Sequence, residues 1–210
     1  MKLLLISILI LFANIQVSHG ICQPDYILFE GKTYMLQFKP LKKYFEKHPN
    51  KSLSNHVIKQ AYTATFEFKN NILTVKDIQI KAFVKGDKGA WKSIIHQVFP
   101  DKLQRRLEWF DGILVMPYGK MVKYICCNSL YKKYLLISLK QGKVLQIKKL
   151  KRKQFFRFKK HQFETFKKTK AREYQELVKL LQKKWKLNQQ HLNGVIQNNI
   201  TLYTSVFLND

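Results

Sequence analysis

The segment of this sequence with the clearest chemical character is Lys148–Lys160, where cations alternate with phenylalanines. It could bind single-stranded nucleic acid through charge and stacking, or lie on an anionic membrane with its rings inserted. Alternatively, the rings belong to the core and the lysines form a solvated helix face. The candidate anion-binding residues in and after this segment are Lys148, Lys149, Lys151, Arg152, Lys153, Arg157, Lys159, Lys160, Lys167, Lys168 and Arg172.

Residue types that could perform catalysis are sparse. Hydrolysis needs paired carboxylates, clustered metal ligands, or a nucleophile beside a base. The chain has only 13 acids and six histidines, and the histidines are isolated, without metal-ligand spacing. We therefore predict no catalytic residue, metal site or cofactor. The alternative is an enzyme whose residues meet only in the folded protein.

The cysteines are odd in number: Cys22, Cys126 and Cys127. In an oxidising compartment, one disulfide can join Cys22 to either Cys126 or Cys127, which leaves one thiol over. Adjacent residues of a strand point to opposite faces, so the pair at 126 and 127 is poorly placed to bind a metal. We favour a disulfide or buried thiols over metal or redox chemistry.

The first twenty residues have the pattern of a signal peptide. Lys2 precedes the apolar run Leu3–Ala13, and Ser18-His19-Gly20 matches a signal-peptidase site, so we expect cleavage after residue 20. The run is shorter than the roughly 20 apolar residues of a membrane-spanning helix, and no later segment is long enough either. We expect an exported protein, periplasmic or secreted, with at most peripheral membrane contact.

Charge limits the choice of partner. The chain carries 39 lysines and arginines against 13 acids, a formal net charge of +26. Such a field attracts polyanions. Only five cations are arginines, and lysine dominance argues against forked, base-specific recognition. Since export also disfavours nucleic acid, we expect an acidic protein or an anionic surface.

Alternating apolar residues predict antiparallel hairpins at 26–38, 62–82 and 134–147. Asn70-Asn71 is suited to the tight turn of the second hairpin because asparagine tolerates positive φ. The apolar phase of that hairpin changes near Lys76-Asp77, which predicts a β-bulge.

Three further elements are predicted from local patterns. Pro117–Lys120 is expected to be a turn between strands 109–116 and 121–127. Apolar residues at helical spacing predict a helix over 91–98. The β-prone tail Ile200–Leu208 is expected to add a final strand.

The last third of the chain is predicted to be helical. One apolar stripe recurs at three- and four-residue steps from Phe163 to Trp185, within a basic helical segment spanning 148–187. Strands followed by helices indicate an α+β fold. We therefore expect a single domain over 21–210, with antiparallel sheets built from hairpins and a long amphipathic C-terminal helix packed against them.

Six segments carry a likeness to other sequences: Asp25–Tyr34, Pro40–Phe45, Ala64–Phe68, Val75–Ile78, Trp109–Lys120 and Gln162–Thr169. In this order they resemble a family of uncharacterised exported bacterial proteins of unknown function. The likeness covers nearly the whole chain after residue 20, which implies one integral domain and transfers no site. The chain departs from the family pattern at Cys126–Leu130, where a polar loop with glycine and aromatic residues is expected.

These observations together predict a non-enzymatic, exported binding protein. One concrete form is an immunity or inhibitor protein that caps an acidic protein toxin and is steered to it by charge. The alternative is a peripheral protein that binds anionic membrane lipid or surface polysaccharide.

Overall fold

The computed structural model describes residues 23–48, 62–82, 90–125 and 129–208. The predicted signal peptide and all three cysteines lie outside these residues. The described part is α+β, with a mixed, mostly antiparallel open sheet and helices packed on it. The predicted fold class is confirmed at this level.

The strands in the described residues are β1 Tyr26–Phe29, β2 Lys32–Met35, β3 Tyr62–Lys69, β4 Ile72–Ala82, β5 Ala90–Ser93, β6 Gly112–Lys123, β7 Leu130–Lys140 and β8 Lys143–Lys151. Seven of them follow the order β2-β1-β3-β4-β8-β7-β6, and β5 pairs with β4. The pairing of β1 with β3 is parallel, whereas the other pairings are antiparallel.

Two tight turns shape the first half of the sheet. Glu30 and Gly31 join β1 to β2 with φ values of 48° and 70°. Asn70 and Asn71 join β3 to β4 with φ values of 50° and 61°. Two successive residues with positive φ match the right-handed twist of hairpin strands, and glycine and asparagine adopt this conformation at low cost.

The β3–β4 pair changes register at one residue. Thr65 pairs with Asp77, but Phe66 pairs with Val75, so Lys76 is the extra residue of a bulge. The change of apolar phase in the sequence falls at the same place. Lys76 is exposed as a result.

The prediction of a helix over 91–98 was wrong in its first half. Residues 90–93 form β5 and pair with the end of β4, and the short helix α2 spans Ile95–Val98. The helical spacing depended on Trp91, which lies on β5 and is 45% exposed, so the spacing did not mark a buried helix face.

The predicted turn at Pro117–Lys120 was also wrong, because β6 continues through it. Pro117 pairs with Tyr134, and the register shifts between Tyr118 and Met121, where Gly119 has a φ of 76°. Proline is tolerated here because β6 ends the sheet order and an edge strand does not need every N–H. The glycine makes a bulge instead of a turn.

The two halves of the sheet meet over a narrow contact. The register of β4 with β8 consists of Ile72 paired with Lys143. Next to it, the N–H of Leu73 donates to the carbonyl of Gly142, and the N–H of Leu107 donates to the carbonyl of Leu73, both at 2.8 Å. The segment before β6 is therefore fixed against both halves.

The other helices are α1 Lys42–Lys47, α3 Arg152–Thr169, α4 Ala171–Trp185, α5 Gln189–Asn198 and α6 Ile200–Tyr203. The single long helix expected from Phe163 to Trp185 is replaced by α3 and α4, which Lys170 separates with φ −123°. The apolar stripe continues across the break, since Phe166 and Tyr174 belong to one buried cluster. The apolar periodicity of the sequence therefore gave no sign of the break between α3 and α4.

The expected strand at Ile200–Leu208 is instead α6 followed by an irregular segment. The buried side chain of Gln162 replaces strand pairing for this segment. Its Nε2 donates to the carbonyl of Val206 at 2.7 Å, and its Oε1 accepts from the N–H of Leu208 at 2.9 Å. The backbone groups of this tail are therefore hydrogen-bonded by a side chain of α3 and not by a neighbouring strand.

Alternation along β6 and β7 places apolar residues on both faces of the sheet. Leu114 and Ile137 belong to the main core, which the N-terminal strands complete. Ile113 and Tyr134 point the other way and pack with Phe155 of α3. Helix α3 is thereby fixed on the outer face of β6–β8.

Candidate anion-binding surfaces

One side of α3 displays an aligned set of cations, which we call the basic face. Steps of three and four residues place them on one side of a helix, and all are exposed. The basic face consists of Lys153, Arg157, Lys160, Lys167 and Lys168. Among the described residues, none of these five pairs with a carboxylate. Glu164 is the one acid in the sequence of α3 and lies on the same side.

The opposite side of α3 is apolar and holds the helix in place. Phe155, Phe163 and Phe166 are buried, and the ring of Phe155 stacks on Tyr134 with centroids 4.1 Å apart. Burial removes Phe155 from stacking on a nucleobase or inserting into lipid. Phe156, by contrast, remains 40% exposed.

The other predicted cations do not join the basic face. Lys148 and Lys149 belong to β8, where the ammonium of Lys148 lies 4.9 Å from the ring centre of Phe207. Lys149 pairs with Glu30 at 3.6 Å. Lys151 precedes α3, where its backbone N–H donates to Oε1 of Gln154 at 2.8 Å.

Three more predicted cations lie at the ends or edges of the helices. Lys159 is 5.1 Å from the ring centre of Phe156 and donates to the carbonyl of Asn198 at 3.2 Å, and burial lowers the pKa of its ammonium. Arg172 donates to Glu176 on α4 at 3.1 Å. Arg152 is half-buried at the start of α3.

A second group of cations, absent from the sequence-based candidates, lines a cleft of about 410 Å³. We call it the cationic cleft. Its walls come from the β3–β4 hairpin and from the 3₁₀ turn at 103–105. The lining residues are Glu67, Lys69, Asn70, Thr74, Val75, Lys76, Lys102, Arg105 and Arg106.

The charges of the cationic cleft are only partly neutralised. Glu67 pairs with Lys69 at 2.9 Å, and Nη2 of Arg106 lies 2.8 Å from the carboxylate of Glu108. Arg105 has its Nη2 at 3.4 Å from Nδ1 of His96, and its buried Nε has no acceptor among the described residues. No carboxylate of the described residues therefore holds the guanidinium of Arg105.

One sequence signal pointed to this cleft. Arg105 and Arg106 are adjacent, and they are two of only five arginines in a chain dominated by lysine. A guanidinium offers a planar fork of donors that lysine lacks. The cleft residues on the β3–β4 hairpin, however, lie about thirty positions earlier in the chain, and no local pattern connects them to the two arginines.

The outer end of the β6–β7 pair forms a third exposed surface. Its apolar side chains are Met121, Val122, Tyr124 and Ile125, and Tyr124 is 74% exposed. The surrounding lysines, Lys120, Lys123, Lys132 and Lys133, are exposed as well. We call these eight residues the hairpin arm.

A buried ion pair lies at the start of β3. Oδ1 of Asp25 accepts from Lys39 Nζ at 3.2 Å and from the N–H of Ala64 at 2.9 Å. The ammonium of Lys39 also lies 4.0 Å from the ring centre of Tyr62. Burial outweighs the attraction of Lys39 and raises the pKa of Asp25 to about 6.

The described residues include no group of three or more His, Cys, Asp or Glu side chains that could hold a metal ion. The described histidines, at 48, 96, 161 and 191, lie on different elements. His96 contacts Arg105 of the 3₁₀ turn, and each of the others contacts a residue three or four positions away. Nor does any helix in this part of the chain have the length and apolar character needed to cross a bilayer.

Comparison with known proteins found no matching family model, curated protein or solved structure. The resemblance to a family of exported bacterial proteins therefore stays a prediction.

Proposed function

We propose that this chain is an exported, non-enzymatic binding protein that captures an acidic protein partner through the basic face. The observation that supports this is the alignment of five exposed cations on one helix, none paired with a carboxylate among the described residues. An immunity or inhibitor protein that caps a toxin is the specific form we favour.

The physical advantage of the basic face is that it is already ordered. The buried rings of Phe155, Phe163 and Phe166 fix the helix, so binding does not have to order its backbone. Unpaired cations can meet a partner's carboxylates without first breaking ion pairs. Complementary charge of this kind increases the association rate and selects against basic partners.

The test is a pull-down from envelope extract at increasing salt, with the triple variant Lys153→Gln, Arg157→Gln and Lys160→Gln. At about 0.5 kcal/mol for each lost charge contact, we expect capture of the specific partner to weaken about tenfold. A partner that stays bound to the unsubstituted protein at high salt indicates a protein interface, whereas complete loss indicates generic polyanion binding.

The matched control removes the same charge from exposed, scattered positions: Lys32→Gln, Lys92→Gln and Lys140→Gln. Net charge then falls equally in both variants. We expect the control to retain capture within about twofold. Equal loss in the two variants would mean that total charge, and not the basic face, determines binding.

A second candidate is peripheral binding to anionic lipid, and the hairpin arm favours it. Exposed apolar side chains beside lysines suit the boundary between acyl chains and anionic headgroups, where each cation near the surface contributes about 1 kcal/mol. Flotation with vesicles that contain or lack phosphatidylserine tests this function. Binding that requires the anionic lipid and is lost in Val122→Asp with Ile125→Asp supports it, and absence of flotation in both cases rejects it.

A further inference from the structure

We propose that the cationic cleft is a second binding site, specific for a compact ligand that carries two or more phosphate or sulfate groups. This inference does not depend on the proposed function, because α3 contributes no residue to the cleft. The shared chemistry is a tetrahedral oxyanion, and its source is either a phosphate ester or a sulfate ester.

Positive charges converge on the cleft from both of its walls. Lys69 and Lys76 approach the cleft from the β3–β4 hairpin, whereas Lys102, Arg105 and Arg106 approach it from the facing 3₁₀ turn. With Glu67 as the one carboxylate of the lining, the lining carries a formal charge of +4. Like charges that converge on one concave space repel one another, and a multiply charged anion between them relieves that repulsion.

Several of these donors have no carboxylate partner in the described part of the chain. Among the described residues, Lys76, Lys102 and Arg105 pair with no carboxylate. A ligand oxyanion can therefore bind them without displacing an existing ion pair. Glu67 does not compete, since Lys69 already holds it at 2.9 Å.

Backbone pairing holds the cations of the cleft in position. The bulge makes Lys76 an extra residue of β4, and the antiparallel bridge from Thr74 to Arg106 holds the arginine pair against the same strand. Both walls are thus fixed by backbone pairing. A planar guanidinium donates two parallel hydrogen bonds to a phosphate or sulfate, and the lysines add point charges.

The size of the cleft limits the ligand. A volume of about 410 Å³ falls in the range of small-molecule sites, which fits a ligand with two tetrahedral groups joined by a short linker. Apart from Val75, every residue of the lining carries a charged or polar group. Recognition of the oxyanions must therefore come from charge-assisted hydrogen bonds.

Calorimetric titration of the purified protein at constant ionic strength tests the site with three probes of equal length. These are the bisphosphate and the bissulfate of propane-1,3-diol, and pimelate, whose two carboxylates are separated by the same number of bonds. The bissulfate and pimelate also carry the same charge. We expect one or both esters to bind at least about tenfold more tightly than pimelate. The stronger ester identifies the source of the oxyanion, and equal or tighter binding of pimelate overturns the proposal.

Two substitutions locate the site and one controls for charge. Arg105→Gln is expected to weaken ester binding about tenfold or more, and Arg105→Lys about threefold, because charge remains but the fork is lost. Arg157→Gln on the basic face removes the same charge and should change binding by less than about twofold. Unchanged binding in Arg105→Gln, or an equal loss in Arg157→Gln, overturns the assignment.

The unsubstituted protein gives an independent readout if a variant folds poorly. With five arginines in the chain, an NMR spectrum of the arginine Nε–Hε groups has few signals. Adding the bisphosphate should shift the signals of Arg105 and Arg106 most. If the signals of Arg157 or Arg172 shift more, the ligand binds elsewhere and the proposal is wrong.

Discussion

The cationic cleft and the basic face present similar charge but are assembled in different ways. The basic face lies on a single continuous helix, Arg152–Thr169, that packs on one sheet face. The cleft brings together residues 67–76 and 102–106, and its walls are joined by the Thr74–Arg106 bridge and by contacts that include Gly142. One surface is encoded locally, and the other exists only when distant segments meet.

This difference determines how each surface responds to damage. A local helix face loses one cation at a time, and its remaining members stay in position. A cleft made of two walls loses its geometry when the junction between them shifts, even though all of its cations remain. Substitutions at the junction should therefore show the effect of altered geometry on binding, and substitutions on the helix should show the effect of lost charge.

The largest effect is expected from Gly142→Ala. A Cβ at this position would lie 2.5 Å from the carbonyl oxygen of Leu107, and the residue has a φ of 71°. The combined clash and strain should reduce the free energy of unfolding by about 4 kcal/mol. Urea denaturation measures this loss, and ester binding at the cleft should fall with it.

Gly31→Ala is the matched control. Gly31 has nearly the same φ, 70°, but a Cβ there would have no atom within 4 Å. We expect a loss of about 1 kcal/mol, the cost of the left-handed conformation alone. If both alanine variants lose the same stability, the junction with Leu107 is not the constraint that we describe.

The next largest effect on stability is expected from the buried carboxyl of Asp25, which lies in the same half of the sheet as the cationic cleft. Asp25 titrates at 3.8 when unfolded, and burial raises its pKa to about 6 in the folded protein. The folded carboxyl therefore holds its proton more tightly, so its stabilising contribution is complete below pH 3.8 and is lost as the pH rises through 6. The loss is about 3 kcal/mol. Asp25→Asn should remove this difference between pH 4 and pH 7 in urea denaturation.

Lys39→Met sharpens this measurement. Attraction to the ammonium of Lys39 lowers the pKa of Asp25, so its removal should extend the loss of stability to pH values above 6. A variant Asp25→Asn that keeps the pH dependence of the unsubstituted protein would show that a different group is responsible.

The locally encoded features were the ones that the sequence predicted. Alternation from Tyr62 to Lys69, the asparagine turn and the phase change at Lys76 are properties of neighbouring residues, and each has its counterpart in the structure. The cations of the basic face were predicted as candidates for the same reason. The cationic cleft was not, because its lysines and arginines become neighbours only through the β4 bridge.

The errors have the same origin. Pro117 and Gly119 are typical turn residues, but pairing with β7 keeps β6 extended through them. Ile200–Leu208 has strand-like composition, yet Gln162, some forty residues earlier, provides the hydrogen bonds that a neighbouring strand would have supplied. In both cases a distant partner overrides the local preference.

The smallest effect on stability is expected from the substitutions that most affect the proposed function. Replacing Lys153, Arg157 and Lys160 by glutamine removes exposed side chains that pair with no described carboxylate, so the free energy of unfolding should change by less than about 0.5 kcal/mol. Because repulsion between neighbouring cations is reduced, we expect a slight gain in stability and not a loss. Urea denaturation at low and high salt measures this change in stability, and the gain should shrink as salt screens the repulsion. A loss above about 1 kcal/mol would mean that these cations support the fold, and weaker partner capture by the same variant could no longer be attributed to the basic face.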